Sequence, residues 1–130
     1  MTKLALVTGG SGGIGAAICH KLAQSGYRVV FTYNSNESAA QTILNTLEGS
    51  GHAMYQLNVE DSSAIGALAE QVKESSTSLD LLVNCAGMTK FVAHSDLESL
   101  NDELIDKIFR VNVRAPFAMV RAFEPLLRSA

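Results

Sequence analysis

A run of glycines near the start of the chain has the residue types and spacing to bind a phosphate group. It reads Thr8-Gly9-Gly10-Ser11-Gly12-Gly13-Ile14-Gly15. Two patterns fit it: G-x-G-x-x-G at positions 10, 12 and 15, and a variant with a longer first gap at positions 9, 13 and 15. Ala16-Ala17 stand where a Walker-type phosphate loop needs Lys and Ser/Thr, which excludes that alternative.

Glycines in such a turn let a pyrophosphate approach backbone N–H groups closely, at the positive end of the following helix. A flexible loop is the plain alternative, but the run lies between an apolar segment and an amphipathic one, as a dinucleotide site requires. The predicted contacts of the cofactor in this turn are Gly9, Ser11, Gly12, Gly13, Ile14 and Gly15.

The second group of polar residues follows the apolar run Arg28–Tyr33 and reads Asn34-Ser35-Asn36. A carboxylate at this place binds the ribose 2′-hydroxyl of NAD and repels a 2′-phosphate. The segment contains no carboxylate, and its amide and hydroxyl groups can donate hydrogen bonds to a phosphate. We therefore predict that NADP(H) is preferred over NAD(H), with Asn34 and Ser35 as contacts.

Strands and helices must alternate to bring these groups together. Apolar and β-branched runs predict four strands, at residues 3–7, 28–33, 52–57 and 79–84. Helical spacing of apolar residues predicts four helices: 13–25, one ending near residue 49, one capped by Asp61 and Ser62, and a long one capped by Ser99 and Asn101 that runs to about Leu127. This order predicts one α/β domain over residues 1–130, a Rossmann-type doubly wound parallel sheet.

Composition excludes other classes of function. The net charge of −3 and the absence of a basic run argue against a nucleic-acid partner. The first apolar run, Leu4–Val7, is too short for a signal peptide or a membrane span, so we expect a cytoplasmic protein without a membrane partner. Cys19 and Cys85 have no ligand-spaced histidine nearby, so neither a metal site nor a disulfide is expected.

The chain resembles the short-chain dehydrogenases/reductases over all 130 residues, and four motifs carry the resemblance. They are the Thr8–Gly15 turn, Asn58-Val59 where the family has Asp-Val, Asn84-Cys85-Ala86-Gly87 where it has Asn-Asn-Ala-Gly, and Asn112 within Arg-Val-Asn-Val. The resemblance implies that Asn58 and Val59 lie at the adenine and that Asn84, Ala86 and Gly87 belong to the cofactor site. It also implies that the backbone carbonyl of Asn112 supports a water in a proton relay.

Each motif has a plainer interpretation when taken singly. Asn84 is a common residue at a strand end, Asn112 fits a solvated helix position, and Cys85 fits a small buried residue. The flanking residues most resemble the 3-oxoacyl-[acyl-carrier-protein] reductase and acetoacetyl-CoA reductase branch, which implies reduction of a carbonyl in a 3-oxoacyl thioester.

The family's reaction also uses a serine and a Tyr-x-x-x-Lys pair, in which the lysine lowers the pKa of the tyrosine. Four residues after Tyr27, Tyr33 and Tyr55 stand residues of other types, namely Phe31, Glu37 and Val59. We therefore expect the N-terminal part of a reductase, truncated after about four strands and four helices and inactive by itself.

Two alternatives stay open: a non-catalytic NADP(H)-binding sensor, and one half of a split reductase that a second chain completes. Apolar residues on the last helix also predict exposed surface and self-association. They are Phe117, Val120, Phe123 and Leu127.

Overall fold

The computed structural model describes residues 2–130, with four strands and five helices. The strands are β1 (Leu4–Val7), β2 (Arg28–Tyr33), β3 (Ala53–Gln56) and β4 (Leu81–Val83). The helices are α1 (Gly13–Gln24), α2 (Glu37–Thr46), α3 (Ser62–Ser75), α4 (Asp102–Phe109) and α5 (Ala115–Arg128). A π-helical turn, Arg110–Arg114, joins α4 to α5. The prediction of a single long helix after Asn101 is therefore wrong in one respect, because this turn interrupts the helix.

All four strands are parallel and their order in the sheet is β3-β2-β1-β4. The chain moves outward from β1 through β2 to β3, then crosses back to place β4 on the other side of β1. In a doubly wound sheet this reversal opens a crevice at the carboxyl ends of the two strands between which it occurs, here β1 and β4, and ligands bind in such a crevice. The predicted Rossmann-type fold is confirmed.

Each strand alternates its side chains between two helical layers, because successive residues of a strand point to opposite faces. On one face, Leu6 and Val30 pack with α3 and α5, including Ile65 and Phe123. The opposite face packs against α1 and α2, with Phe31 among its buried residues. Helices therefore cover both faces of the sheet, as a parallel sheet requires.

Side-chain caps define where three of the helices begin. The side chains of Asn36, Asp61 and Asn101 accept hydrogen bonds from Ala39 N at 3.0 Å, Ala64 N at 3.1 Å and Leu104 N at 2.9 Å, respectively. The capping roles predicted for Asp61 and Asn101 are confirmed. Ser99 is not a cap, because it bonds to Asp96 instead.

The last helix buries two of the four apolar residues that were expected on its surface, Phe123 and Leu127. Phe123 is fully buried and Leu127 packs against the same core cluster, so the prediction that these two residues form apolar surface is wrong. Phe117 and Val120 are exposed, at 66% and 45%. Across residues 2–130, no helix combines the length and apolar composition that a membrane crossing needs.

Candidate functional site

A cavity of about 590 Å³ opens at the carboxyl ends of β1, β2 and β4. This volume lies within the usual range for sites that bind small molecules and cofactors. The lining residues come from the glycine turn, the end of β2, the segment after β3, the turn after β4, and α4 with the π turn. The cavity therefore occupies the crevice at which the order of the strands reverses.

The glycine turn forms the first wall, and its glycines have three different roles. A Cβ at Gly15 would lie 2.0 Å from the carbonyl oxygen of Gly9, so α1 packs onto the turn only because that position has no side chain. Gly9 and Gly13 have φ values of +68° and +55°, which favour glycine. At Gly12 no described atom lies within 4 Å of an added Cβ, and this residue lines the cavity.

The start of α1 offers free hydrogen-bond donors to the cavity. Among residues 2–130, no side chain caps α1, since its N-cap residue is Gly12, and the first turn of the helix carries no acidic residue. The unpaired N–H groups and the positive end of the helix dipole therefore remain available to an anion. This arrangement suits a phosphate group.

Two buried threonines link the strand ends at the cavity by hydrogen bonds. The Thr8 hydroxyl oxygen accepts hydrogen bonds from the backbone N–H groups of Cys85 and Ala86, both at 3.0 Å. Thr32 accepts from Gly10 N at 2.9 Å through its carbonyl oxygen. These bonds hold the glycine turn against the turn after β4 and the end of β2.

The π turn forms a second wall, and its side chains hydrogen-bond to two lining segments. The Asn112 amide nitrogen donates to Met88 O at 2.7 Å, and Met88 N donates to the Asn112 amide oxygen at 2.9 Å. Arg110 Nε donates to Glu60 Oε1 at 3.1 Å, and the Arg114 guanidinium donates to the backbone carbonyl of Glu60.

The two cysteines lie in different surroundings. Cys85 lines the cavity, whereas Cys19 is fully buried on α1, behind the glycine turn. Burial, together with the nearby Cys85 thiol, raises the pKa of Cys19 to about 12. In the described part of the chain, no three His, Cys, Asp or Glu side chains are grouped as metal ligands.

Comparison with known proteins identifies the family. The family model described as "short chain dehydrogenase" matches residues 3–130. The chain belongs to the short-chain dehydrogenases. It is 32% identical over 127 residues to a 3-oxoacyl-[acyl-carrier-protein] reductase from Staphylococcus aureus, an alignment that covers 96% of this chain and 50% of the relative. The chain spans about half the length of the curated relatives it matches.

Solved structures agree with the short-chain dehydrogenase fold. A Burkholderia xenovorans protein assigned to these dehydrogenases/reductases superposes with a TM-score of 0.94 at 28% identity, covering 99% of this chain and 54% of that one. A short chain dehydrogenase from Burkholderia cenocepacia in complex with NADP has a TM-score of 0.87 at 37% identity, covering 96% of this chain and 51% of that one.

Most residues predicted for the cofactor site of this short-chain dehydrogenase line the cavity described above. They are Gly9, Ser11, Gly12, Ile14, Gly15, Asn34, Val59, Ala86 and Gly87. Four others are not among the lining residues: Gly13, Ser35, Asn58 and Asn84. The Asn58 side chain instead accepts a hydrogen bond from Glu60 N at 3.0 Å.

Sequence reasoning missed several lining residues, among them Glu60, Met88, Lys107 and Val111. It also missed the π turn that supports them. The one available signal was the strict alternation of polar and apolar residues in Arg-Val-Asn-Val-Arg at 110–114, which does not fit the 3.6-residue period of an α-helix.

Proposed function

We propose that residues 1–130 form the NADP(H)-binding domain of a short-chain dehydrogenase/reductase that reduces the carbonyl of a 3-oxoacyl thioester. The observation that carries the proposal is the uncapped start of α1, which opens together with the glycine turn into the cavity at the strand reversal. The S. aureus relative, a 3-oxoacyl-[acyl-carrier-protein] reductase, supports the reaction and the substrate class.

The pyrophosphate of the cofactor would accept hydrogen bonds from the N–H groups at the start of α1, near Gly12. Asn34, at the end of β2, would face the adenosine ribose with Ser35 beside it. The absence of a carboxylate at 34–36 supports a 2′-phosphate, as does the NADP complex of the B. cenocepacia neighbour. Val59, Ala86 and Gly87 also line the cavity and would contact the cofactor. Asn58 and Asn84 would contact the cofactor from positions flanking the cavity.

Bound NADPH supplies a hydride to the substrate carbonyl. We assign Asn112 to the proton relay through its backbone carbonyl, because its side chain is already engaged by both backbone groups of Met88. A π turn shifts backbone hydrogen bonds from i→i+4 to i→i+5, and such turns are frequent at functional sites.

No tyrosine of the 130 residues has a lysine four positions later. We therefore propose that turnover needs a proton donor from outside these residues, and that a purified 130-residue chain binds NADPH without oxidising it in the presence of acetoacetyl-CoA. Clear turnover by a sample of confirmed intact mass would refute this part of the proposal.

Fluorescence titration of the chain with NADPH and NADH tests the cofactor. We expect NADPH to bind more tightly, by about tenfold, as a charge-assisted hydrogen bond to the 2′-phosphate provides. Asn34→Asp places a carboxylate beside that phosphate and should abolish the preference. Asn45→Asp, on the exposed side of α2, makes the same chemical change and should leave it intact. Tighter binding of NADH by the unaltered chain would overturn the assignment.

We also propose that a second copy of the chain covers an apolar stripe on the outer side of α4, the π turn and α5. The stripe comprises Phe109, Val113, Phe117 and Val120, which are 59%, 59%, 66% and 45% exposed. Apolar side chains at this density in one line are typical of an interface rather than of free surface.

Sedimentation velocity over a concentration series tests the self-association. The double substitution Val113→Ser and Phe117→Ser should weaken it by at least about tenfold, because two central apolar anchors are lost. Phe91→Ser is the matched control, since Phe91 is 95% exposed but lies in the loop before α4, outside the stripe. A monomer at all concentrations would contradict the proposal.

A further inference from the structure

Asparagine is a thermolabile residue, and its side chain can become a carboxylate without an enzyme. The backbone nitrogen of the next residue bonds to the side-chain amide carbon, and its proton leaves with the amide nitrogen as ammonia. Water then opens the resulting cyclic imide at either carbonyl, which gives aspartate or isoaspartate. The ring closes where the backbone can bend, the next N–H is unbonded and the next side chain is small and unbranched.

Asn34 meets each of these conditions. It lies in the bend between β2 and α2, it is exposed, and the residue after it is Ser35. Among residues 2–130, neither the side-chain amide of Asn34 nor the N–H of Ser35 forms a hydrogen bond. The one bond at Asn34 joins its backbone carbonyl to Nε2 of the exposed Gln56 side chain, at 3.0 Å. The reacting groups are therefore free to meet.

The other six asparagines, all within residues 2–130, are held by hydrogen bonds. At Asn84 the attacking group is engaged, because the N–H of Cys85 donates to the Thr8 hydroxyl at 3.0 Å. The remaining five have a side-chain amide that is itself hydrogen-bonded: Asn36, Asn45, Asn58, Asn101 and Asn112. The structure thus leaves one asparagine open to this reaction.

The reaction would place a negative charge where the cofactor is expected. Asn34 lines the cavity at the end of β2, and a carboxylate at this place accepts from the ribose 2′-hydroxyl of NAD and repels a 2′-phosphate. We propose that Asn34 is a site of spontaneous deamidation, and that this modification removes the preference of the chain for NADPH over NADH. The effect on the cofactor rests on the proposed function, whereas the deamidation itself does not.

Incubation of the purified 130-residue chain in a mildly alkaline buffer tests the deamidation. Peptide mass spectrometry, with fragment ions that separate Asn34 from Asn36, follows the replacement of an amide by an acid. Asn34 should change at least about tenfold faster than any other asparagine. The rate should rise with pH, because the attacking nitrogen must lose its proton. Saturating NADPH should lower the rate, because the cofactor would cover Asn34.

Two serine variants test the local cause. Ser35→Val places a β-branched side chain beside the attacking nitrogen and should slow the change at Asn34 by at least about tenfold. Ser38→Val makes the same replacement at an exposed position inside α2, which does not follow an asparagine, and should leave the rate unchanged. Equal rates in the two variants would contradict the assignment of Ser35 as the attacking residue.

Fluorescence titration of fresh and incubated samples tests the effect on the cofactor. The fresh chain should bind NADPH about tenfold more tightly than NADH, and the deamidated chain should bind the two within about threefold. Thermal melting followed by circular dichroism shows that both samples are folded. The binding ratio of Ser35→Val should not change during the same incubation.

The outcomes separate this inference from the proposed function. An amide that persists at Asn34 overturns the inference alone, as does complete conversion of Asn34 with the preference for NADPH intact. Failure of the fresh chain to bind either dinucleotide overturns the proposed function and the effect on the cofactor, while the mass measurement still decides whether Asn34 deamidates.

Discussion

The two walls of the cavity are built in opposite ways. The glycine wall works through missing side chains: Gly15 lets α1 approach the carbonyl of Gly9, and Gly12 leaves backbone donors open. The π-turn wall works through side chains that are present, since Arg110, Asn112 and Arg114 hold the segments at Glu60 and Met88. The first wall is vulnerable to added atoms, and the second to removed ones.

This contrast has an energetic consequence. An atom added against close-packed backbone must push that backbone away, because packed interiors have no spare volume. A deleted side chain at a half-exposed position costs less, because water replaces part of its hydrogen bonding. A side chain added in the glycine turn should therefore lower the free energy of unfolding more than a side chain removed from the π turn.

The largest effect is expected from Gly15→Ala. Its Cβ would meet the Gly9 carbonyl oxygen at 2.0 Å, so the turn or α1 must move, at a cost of about 3 kcal/mol or more in the free energy of unfolding. Gly12→Ala is the matched control: its Cβ meets no described atom within 4 Å, and it should cost about 1 kcal/mol or less while weakening NADPH binding. Urea denaturation measures both. Equal losses of stability in Gly15→Ala and Gly12→Ala would contradict the close packing of α1 against the Gly9 carbonyl.

The cysteines should differ next most strongly, in their rates of alkylation. A thiol with a pKa of about 12 is almost entirely protonated at pH 8, and Cys19 is also fully buried, so iodoacetamide should modify it only when the domain unfolds. Cys85, which is only partly buried and lines the cavity, should react in the folded state and be protected by NADPH. Peptide mass spectrometry over time reports both rates. Faster modification of Cys19 than of Cys85 would contradict the described burial.

Asn112→Ala should have an intermediate effect. It removes the two hydrogen bonds to Met88 and should cost about 1–2 kcal/mol, while the amide of Met88 exchanges hydrogen faster. Asn112→Asp still accepts from Met88 N but no longer donates to Met88 O, so its loss should be smaller. Urea denaturation and hydrogen exchange measure these changes. Unchanged exchange at Met88 in the alanine variant would show that the pair does not hold this wall.

The smallest effect is expected from Arg110→Ala. The ion pair with Glu60 is partly solvated, with the side chains 40% and 21% exposed, so its removal should cost less than about 1 kcal/mol. Arg128→Ala, which breaks an exposed pair with Glu124 on α5, is the control and should cost no more. A loss above 2 kcal/mol, as measured by urea denaturation, would show that the π-turn wall depends on this pair.

The glycine wall was predictable because its signals are local. The turn, the strand before it and the helix after it lie within 24 residues, and the glycine spacing follows directly from the backbone's need for room. The π-turn wall was not predictable, because its contacts join distant residues: Arg110 and Glu60 are 50 positions apart, and Asn112 and Met88 are 24 apart. The same reason explains why Phe123 was expected on the surface.

The sequence by itself determined the alternation of strands and helices, the Rossmann-type fold and the glycine turn, since hydrophobic period, caps and glycine spacing act over a few residues. Only the tertiary structure decided which side chains meet in the cavity. It placed Glu60 there and left Asn58 outside, and it interrupted the predicted last helix with a π turn. Those outcomes depend on how the layers pack across the sheet, which no local pattern of residues encodes.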